Sequence, residues 1–131
     1  MRKLLSSAAA AAVLLAGCVS NDNASGKGGS SSAQRLSVTI ADDKCDVSAE
    51  KTESGRVVFT LKNEGTVKNE FEILAPDKLR IVGERENLAP GTTVKYTVVL
   101  EPGSYYTACK KNMVGALVGA KKFTVSDSGK K

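Results

Sequence analysis

Apolar and polar residues alternate with period two along most of the chain beyond residue 35, and this pattern predicts β-strands rather than helices. In LSVTI, residues 36–40, Leu36, Val38 and Ile40 alternate with serine and threonine. Residues that favour turns, mainly Pro, Gly, Asn and Asp, separate such runs. The pattern predicts strands at about residues 36–40, 56–63, 69–75, 79–84, 93–100, 104–109 and 121–126.

Short strands separated by turns are typical of a small antiparallel sandwich. We therefore predict an all-β domain, a Greek-key sandwich of about seven strands. No segment of this region has the length and period of a helix, although residues 110–118 could form a single helical turn. The 131 residues, 41% of them hydrophobic, are enough for one such domain and too few for two.

The N-terminus has the features of a secretory signal peptide. Arg2 and Lys3 precede an uncharged, mostly apolar run that ends in the small residues Ala16 and Gly17. This run is shorter than the roughly 20 apolar residues of a spanning helix. The sequence LAGC, residues 15–18, also resembles a bacterial lipobox, which predicts cleavage after residue 17 and lipidation of Cys18.

The residues after Cys18 read VSNDNASGKGGSSSAQ, and this Gly- and Ser-rich composition predicts a flexible tether. The predicted organisation is a signal peptide at 1–17, a lipidated cysteine and tether at 18–34, a folded domain at 35–126 and a polar tail at 127–131. Such a protein would be exported and held on the outer face of the cell membrane, or anchored on its periplasmic side, by acyl chains.

Charge and composition exclude several classes of function. The net charge of +5 comes from scattered lysines without interleaved aromatic residues, so a nucleic-acid surface has little support. The chain contains no histidine, so no imidazole base is present to activate a nucleophile. We therefore do not expect an enzyme.

Two cysteines of the predicted domain leave two interpretations open. Cys45 and Cys109 could form a disulfide, as is common in exported proteins. Alternatively, Cys109 and Met113 in the CKKNM segment supply soft sulfur ligands four positions apart, which suit copper. The absence of histidine excludes a blue-copper centre with two histidines and a cysteine.

Several segments, taken in order, resemble one known family. They are DDKCDVSA at 42–49, KNEFEIL at 68–74, RIVGERENLAPG at 80–91, LEPGSYYTACKKNMVG at 100–115 and FTV at 123–125. Together they resemble the cupredoxin-like domain of EfeO-type iron-uptake proteins and cover nearly the whole predicted domain. The resemblance implies a cupredoxin-like sandwich, without the helical peptidase-like domain that accompanies it in that family.

The resemblance also implies a metal site for copper or ferric iron. Its ligands would be Cys45, Glu70 and Cys109, with Met113 as a weaker ligand in the following loop. A second-rank pair of candidates, Glu84 and Glu86, lies in the GEREN segment. Partners would be the permease or peroxidase components of an iron-uptake system.

The sequence thus supports two hypotheses of different kinds. The first is a membrane-tethered, extracytoplasmic protein that binds copper or iron and assists iron uptake by transferring metal or electrons. The second is a sandwich closed by a disulfide between Cys45 and Cys109 that acts as a structural or protein-binding module without metal. The choice between copper and iron is open as well.

Overall fold

The computed structural model describes residues 33–129, so the predicted signal peptide, the lipidation site at Cys18 and most of the tether lie outside the described residues. The described part forms nine strands and no helix. They are β1 (Gln34–Ala41), β2 (Lys44–Val47), β3 (Lys51–Glu53), β4 (Gly55–Asn63), β5 (Asn69–Leu74), β6 (Ile81–Leu88), β7 (Thr93–Leu100), β8 (Gly103–Lys111) and β9 (Val118–Ser126). No helix of residues 33–129 is therefore long and apolar enough to span a membrane.

The strands form two sheets that pack face to face. One sheet has four strands in the order β2-β1-β4-β7, and the other has five in the order β3-β9-β8-β5-β6. The predicted all-β sandwich is confirmed. Most neighbouring strands are antiparallel, but β1 and β4 are parallel, as are β3 and β9.

The sequence pattern missed two strands, so the count of about seven becomes nine. Strands β2 (KCDV) and β3 (KTE) have only four and three residues. Such short segments cannot show an alternation that is distinguishable from a turn. Both strands form through pairing, β2 with β1 and β3 with β9, and not through their own pattern.

The helical turn considered for residues 110–118 is not present. Strand β8 continues to Lys111, and β9 begins at Val118. Between them Asn112 and Met113 have φ angles of 52° and 57°. These left-handed values are incompatible with a right-handed helix, and they reverse the chain in a tight turn instead.

Aromatic side chains from both sheets form the centre of the core. The ring of Phe59 on β4 lies 5.2 Å from that of Phe71 on β5 and 6.1 Å from that of Phe123 on β9, measured between centroids. On its own sheet it lies 6.4 Å from Tyr96 of β7. Phe59 is completely buried. It therefore joins the two sheets at their middle.

Replacing Phe59 by alanine should destabilise the domain by about 3 to 5 kcal/mol, because it removes a large buried side chain and leaves a cavity. The free energy of unfolding is measured by urea denaturation. Val99→Ala on β7 is the control, because Val99 is 67% exposed and its truncation should change stability by no more than about 0.5 kcal/mol. Equal losses in the two variants would contradict this assignment of the core.

Candidate functional site

Strand β5 carries the candidate ligand Glu70, and both faces of this strand are covered. It lies between β8 and β6, and all six of its residues are buried. Phe71 and Ile73 face the core between the sheets. Side chains alternate along a strand, so Glu70 and Glu72 point to the opposite face of the sheet. These two glutamates are only 3% and 1% exposed.

The two cysteines of the domain lie on the core side and are bonded to each other. Cys45 on β2 and Cys109 on β8 form a disulfide with a Cα–Cα distance of 5.6 Å. Because β2 and β8 belong to different sheets, the bond connects the two layers of the sandwich. Both residues are completely buried. In this form neither sulfur is a thiolate, so neither is available as a strong metal ligand.

The ligand set expected from the sequence is divided by the sheet. Phe71 pairs with Cys109, whereas the next residue, Glu70, pairs with Lys110. Glu70 and Cys109 therefore lie on opposite faces of the five-stranded sheet, because successive side chains alternate. Met113 lies in the turn after β8 and is partly exposed. A single centre formed by Cys45, Glu70, Cys109 and Met113 is not assembled.

The structure instead groups Glu70 with two other carboxylates. One oxygen from each of Glu70, Glu72 and Glu84 lies within 4.8 Å of the others. Glu84 of β6 pairs with Glu72 of β5, which brings the second-rank candidate to the same place. Glu86 is exposed further along β6 and does not belong to this cluster. We refer to Glu70, Glu72 and Glu84 as the carboxylate cluster.

Sequence reasoning missed Glu72, although a signal for it was present. In NEFEIL the two glutamates alternate with Phe71 and Ile73, so if the apolar residues face the core, both glutamates must share the other face. Neither glutamate was expected to be buried. Burial came from the interior position of β5 between β8 and β6, which the sequence pattern does not show.

Lys110 provides the positive charge that the buried carboxylates require. Its Nζ donates a hydrogen bond to Oε1 of Glu72 at 2.8 Å and lies 3.7 Å from Oε1 of Glu70. Hydrogen bonding to Glu72 raises the pKa of Lys110. One ammonium group faces three carboxyl groups, so the full negative charge of the cluster is not compensated by this pairing.

Burial in the cluster also changes the acidity of Glu70, whose pKa rises from 4.5 to about 7. The main cause is burial, which disfavours the charged form, followed by the hydrogen bond with Glu72 and the repulsion from its charge. Lys110 acts in the opposite direction. Near neutral pH, both the protonated and the charged form of Glu70 are therefore populated.

The available donors define which metals the residues could hold. Carboxylate oxygens are hard ligands and suit hard cations. A blue-copper centre does not fit, because the chain has no histidine and Cys109 is bonded to Cys45. A cation bound by the carboxylate cluster would compete with Lys110 for Oε1 of Glu72.

Comparisons with known proteins agree with this architecture. Residues 7–118 match the family described as the cupredoxin-like domain. The fold is also similar to that of reduced auracyanin from Roseiflexus castenholzii, with a TM-score of 0.53 and 14% identity, over 73% of this chain and 99% of that one. The chain belongs to the cupredoxin-like domain family.

Within this family the chain is similar to EfeO proteins, so the resemblance seen in the sequence is confirmed. It is 38% identical over 76 residues to the iron uptake system component EfeO of Yersinia pestis, and 35% identical over 75 residues to that of Escherichia coli K12. These matches cover 58% and 57% of this chain. The chain spans about a fifth of the length of these relatives, 20% in each case.

The raised pKa of Glu70 predicts a decline in stability with rising pH. Between pH 4.5 and about 7 the folded protein keeps a proton that the unfolded chain has released. The stabilisation is therefore complete below pH 4.5 and is lost as the pH rises through 7. Glu70→Gln should remove this decline. One pKa unit corresponds to about 1.4 kcal/mol. The free energy of unfolding of the variant, relative to that of the wild type, should therefore be higher at pH 8 than at pH 5 by on the order of 1 kcal/mol or more.

The measurement is urea denaturation of both proteins at pH 5 and pH 8 in the presence of a chelator. Glu64→Gln is the control, because Glu64 is a half-exposed carboxylate paired with Lys62. Its stability relative to the wild type should not change between the two pH values. A Glu70→Gln variant that also shows no relative change would refute the proton uptake at Glu70.

Proposed function

We propose that this chain is an exported, lipid-anchored protein that binds a metal ion as cargo and assists an iron-uptake system. The observation that supports this most strongly is the carboxylate cluster, in which two of three converging glutamates are buried on the interior strand β5. Burial of charged acidic side chains is costly unless they are paired and hydrogen-bonded or coordinate a metal. The similarity to EfeO proteins, which are components of iron uptake systems, agrees with this role.

Ferric iron is the cargo that fits best among the two metals considered. Glu70, Glu72 and Glu84 offer only oxygen atoms, which favour a hard, highly charged ion over Cu(I). Cys45, Cys109 and Met113 would form a soft site for copper only in the reduced protein. A cation held by Glu70 would compete with protons, so its affinity should fall as the pH falls.

Lys110 would make this binding reversible. Its ammonium group already neutralises part of the cluster in the absence of metal, and an incoming ion would compete with it for Oε1 of Glu72. Competition from a tethered cation lowers affinity. A protein that passes a metal ion to another component must release the ion as well as bind it. We therefore propose metal binding and transfer rather than catalysis.

The proposed location follows from the N-terminal sequence. Signal cleavage after residue 17 would leave Cys18 as an acylated anchor, and residues 19–34 would tether the folded domain of 35–126, with a polar tail at 127–131. The domain would then work at the outer face of the cell membrane or on its periplasmic side. Permease or peroxidase components of an iron-uptake system would be its partners.

A second function remains in competition, and the disulfide favours it. A sandwich closed by the bond between Cys45 and Cys109 could act as a structural or protein-binding module without metal. The two functions differ in one direct measurement. Only the first requires ferric iron to bind the oxidised protein.

The metal-binding proposal predicts that the oxidised protein binds ferric iron supplied as the citrate complex. Glu84→Gln should weaken binding about tenfold or more, because it removes one charged ligand. Glu86→Gln is the matched control, since Glu86 is an exposed glutamate on the same strand outside the cluster, and its affinity should equal that of the wild type. Binding is measured by equilibrium dialysis with iron analysis.

Two outcomes would overturn the assignment. If the oxidised protein takes up no iron, the structural module becomes the better interpretation. If copper binds only after reduction and is lost in Cys109→Ser, the metal site consists of sulfur ligands and not of the carboxylate cluster.

The lipid anchor is tested separately in the full chain expressed in a bacterium. Cys18→Ser should prevent acylation and move the protein from the membrane fraction to the soluble fraction, because the acyl chains supply the membrane affinity. Cell fractionation with immunoblotting measures this, and mass spectrometry of the mature N-terminus shows the acyl groups. Wild-type protein without acyl groups would contradict the proposed anchor.

A further inference from the structure

Asn69 is the one described residue with buried side-chain atoms that lack any hydrogen-bond partner. It begins β5 and is completely buried, and neither its Nδ2 nor its Oδ1 has a partner within residues 33–129. An unpaired buried amide is costly, and such groups are rare in folded proteins. Asn69 therefore requires a physical explanation.

The pairing of β5 with β8 places Asn69 beside the disulfide. Asn69 pairs with Lys111, and Phe71 pairs with Cys109. With regular alternation on these paired strands, Asn69 and Cys109 are diagonal neighbours on one sheet face. Diagonal neighbours are about 7 to 8 Å apart, so the short side chains of Asn69 and Cys109 meet only if they extend toward each other. The disulfide accepts hydrogen bonds poorly, whereas a thiol is both a weak donor and a weak acceptor, and a thiolate is a stronger acceptor.

We propose that the bond between Cys45 and Cys109 is a reducible switch, and that Asn69 stabilises its reduced state by hydrogen bonding to the thiol of Cys109. In the oxidised form the amide of Asn69 is unpaired. Reduction supplies the missing partner, so the equilibrium shifts toward the dithiol. This inference does not depend on metal binding.

The reductant is a dithiol. One of its thiolates attacks a sulfur of the disulfide, which forms a mixed disulfide and releases the other cysteine. Its second thiol then displaces the attached cysteine and closes a disulfide on the reductant. Two electrons and two protons end on Cys45 and Cys109, and the reductant leaves oxidised.

The turn that follows Cys109 provides a route of access to the buried bond. Met113 has a left-handed φ angle of 57°, which a residue other than Gly, Asn or Asp adopts with strain, whereas Asn112, at 52°, tolerates this conformation. Two backbone hydrogen bonds of this turn, from Met113 to Lys110 at 3.3 Å and from Val114 to Lys111 at 3.2 Å, are at the long end of the usual range, whereas the N–H of Asn112 donates to the carbonyl of Lys68 at 2.8 Å. On the other side, the backbone of Gly119 packs closely against Cys45, where an added Cβ would lie 2.9 Å from the Cys45 Cβ. Opening of the turn would therefore expose the bond from the Cys109 side.

The test is a redox titration of the full chain in buffers of reduced and oxidised dithiothreitol. After acid quenching and alkylation, mass spectrometry of the peptides that contain Cys45 and Cys109 gives the reduced fraction. Asn69→Leu should require at least about a tenfold higher ratio of reduced to oxidised dithiothreitol for half reduction, because the unpaired amide no longer favours the dithiol. Thr107→Val is the control, because Thr107 of β8 is, like Asn69 of β5, a buried polar residue. The midpoint ratio of this variant should stay within about twofold of the wild type.

An equal midpoint for Asn69→Leu and the wild type would overturn the proposal, as would an equal shift in Thr107→Val. If Asn69→Leu does not fold, two variants that both lack the cross-link decide the question, Cys45→Ala, which keeps the thiol of Cys109, and Cys109→Ala, which removes it. Hydrogen exchange of the Asn69 side-chain amide, followed by NMR, should be at least about tenfold slower in Cys45→Ala than in Cys109→Ala. Equal exchange in the two variants would show that the thiol of Cys109 is no partner of Asn69, and would also overturn the proposal.

Discussion

The burial of β5 on both faces is the constraint on which the chemistry of this domain depends. A strand in the interior of a sheet presents alternate side chains to the two sides, and here neither side is open to water. Phe71 meets the core beside Cys109, whereas Glu70 is paired with Lys110 on the other side. Carboxylates in such a position must be protonated, paired with a cation or bound to a metal.

The five-stranded sheet therefore separates two kinds of ligand. The sulfur atoms of Cys45 and Cys109 lie inside the sandwich, where they connect its two sheets. The oxygen atoms of the carboxylate cluster lie on the outer face. Since the backbone of the sheet stands between them, no ion can bind both sets at once. The reduction proposed on one face and the cation binding proposed on the other would then be independent of each other.

Much of the fold could be predicted because strand formation follows a local pattern. The seven strands with clear alternation all have counterparts, and the apolar positions of β4, such as Phe59, face the core as expected. The short strands β2 and β3 could not be predicted, because their order comes from pairing with distant segments. Glu72 was missed for a related reason, because the outer face of β5 is buried only through its neighbours in the folded domain.

The sequence by itself determined the all-β fold, the core positions of the long strands and the exclusion of a blue-copper centre, because each follows from residue type or local periodicity. Only the tertiary structure decided that Cys45 bonds to Cys109 across 64 positions, and that Glu70 faces away from both. It also decided that Glu84 joins Glu72. The reason is that strand order and register depend on contacts between distant segments, and a period of two carries no information about which strands become neighbours.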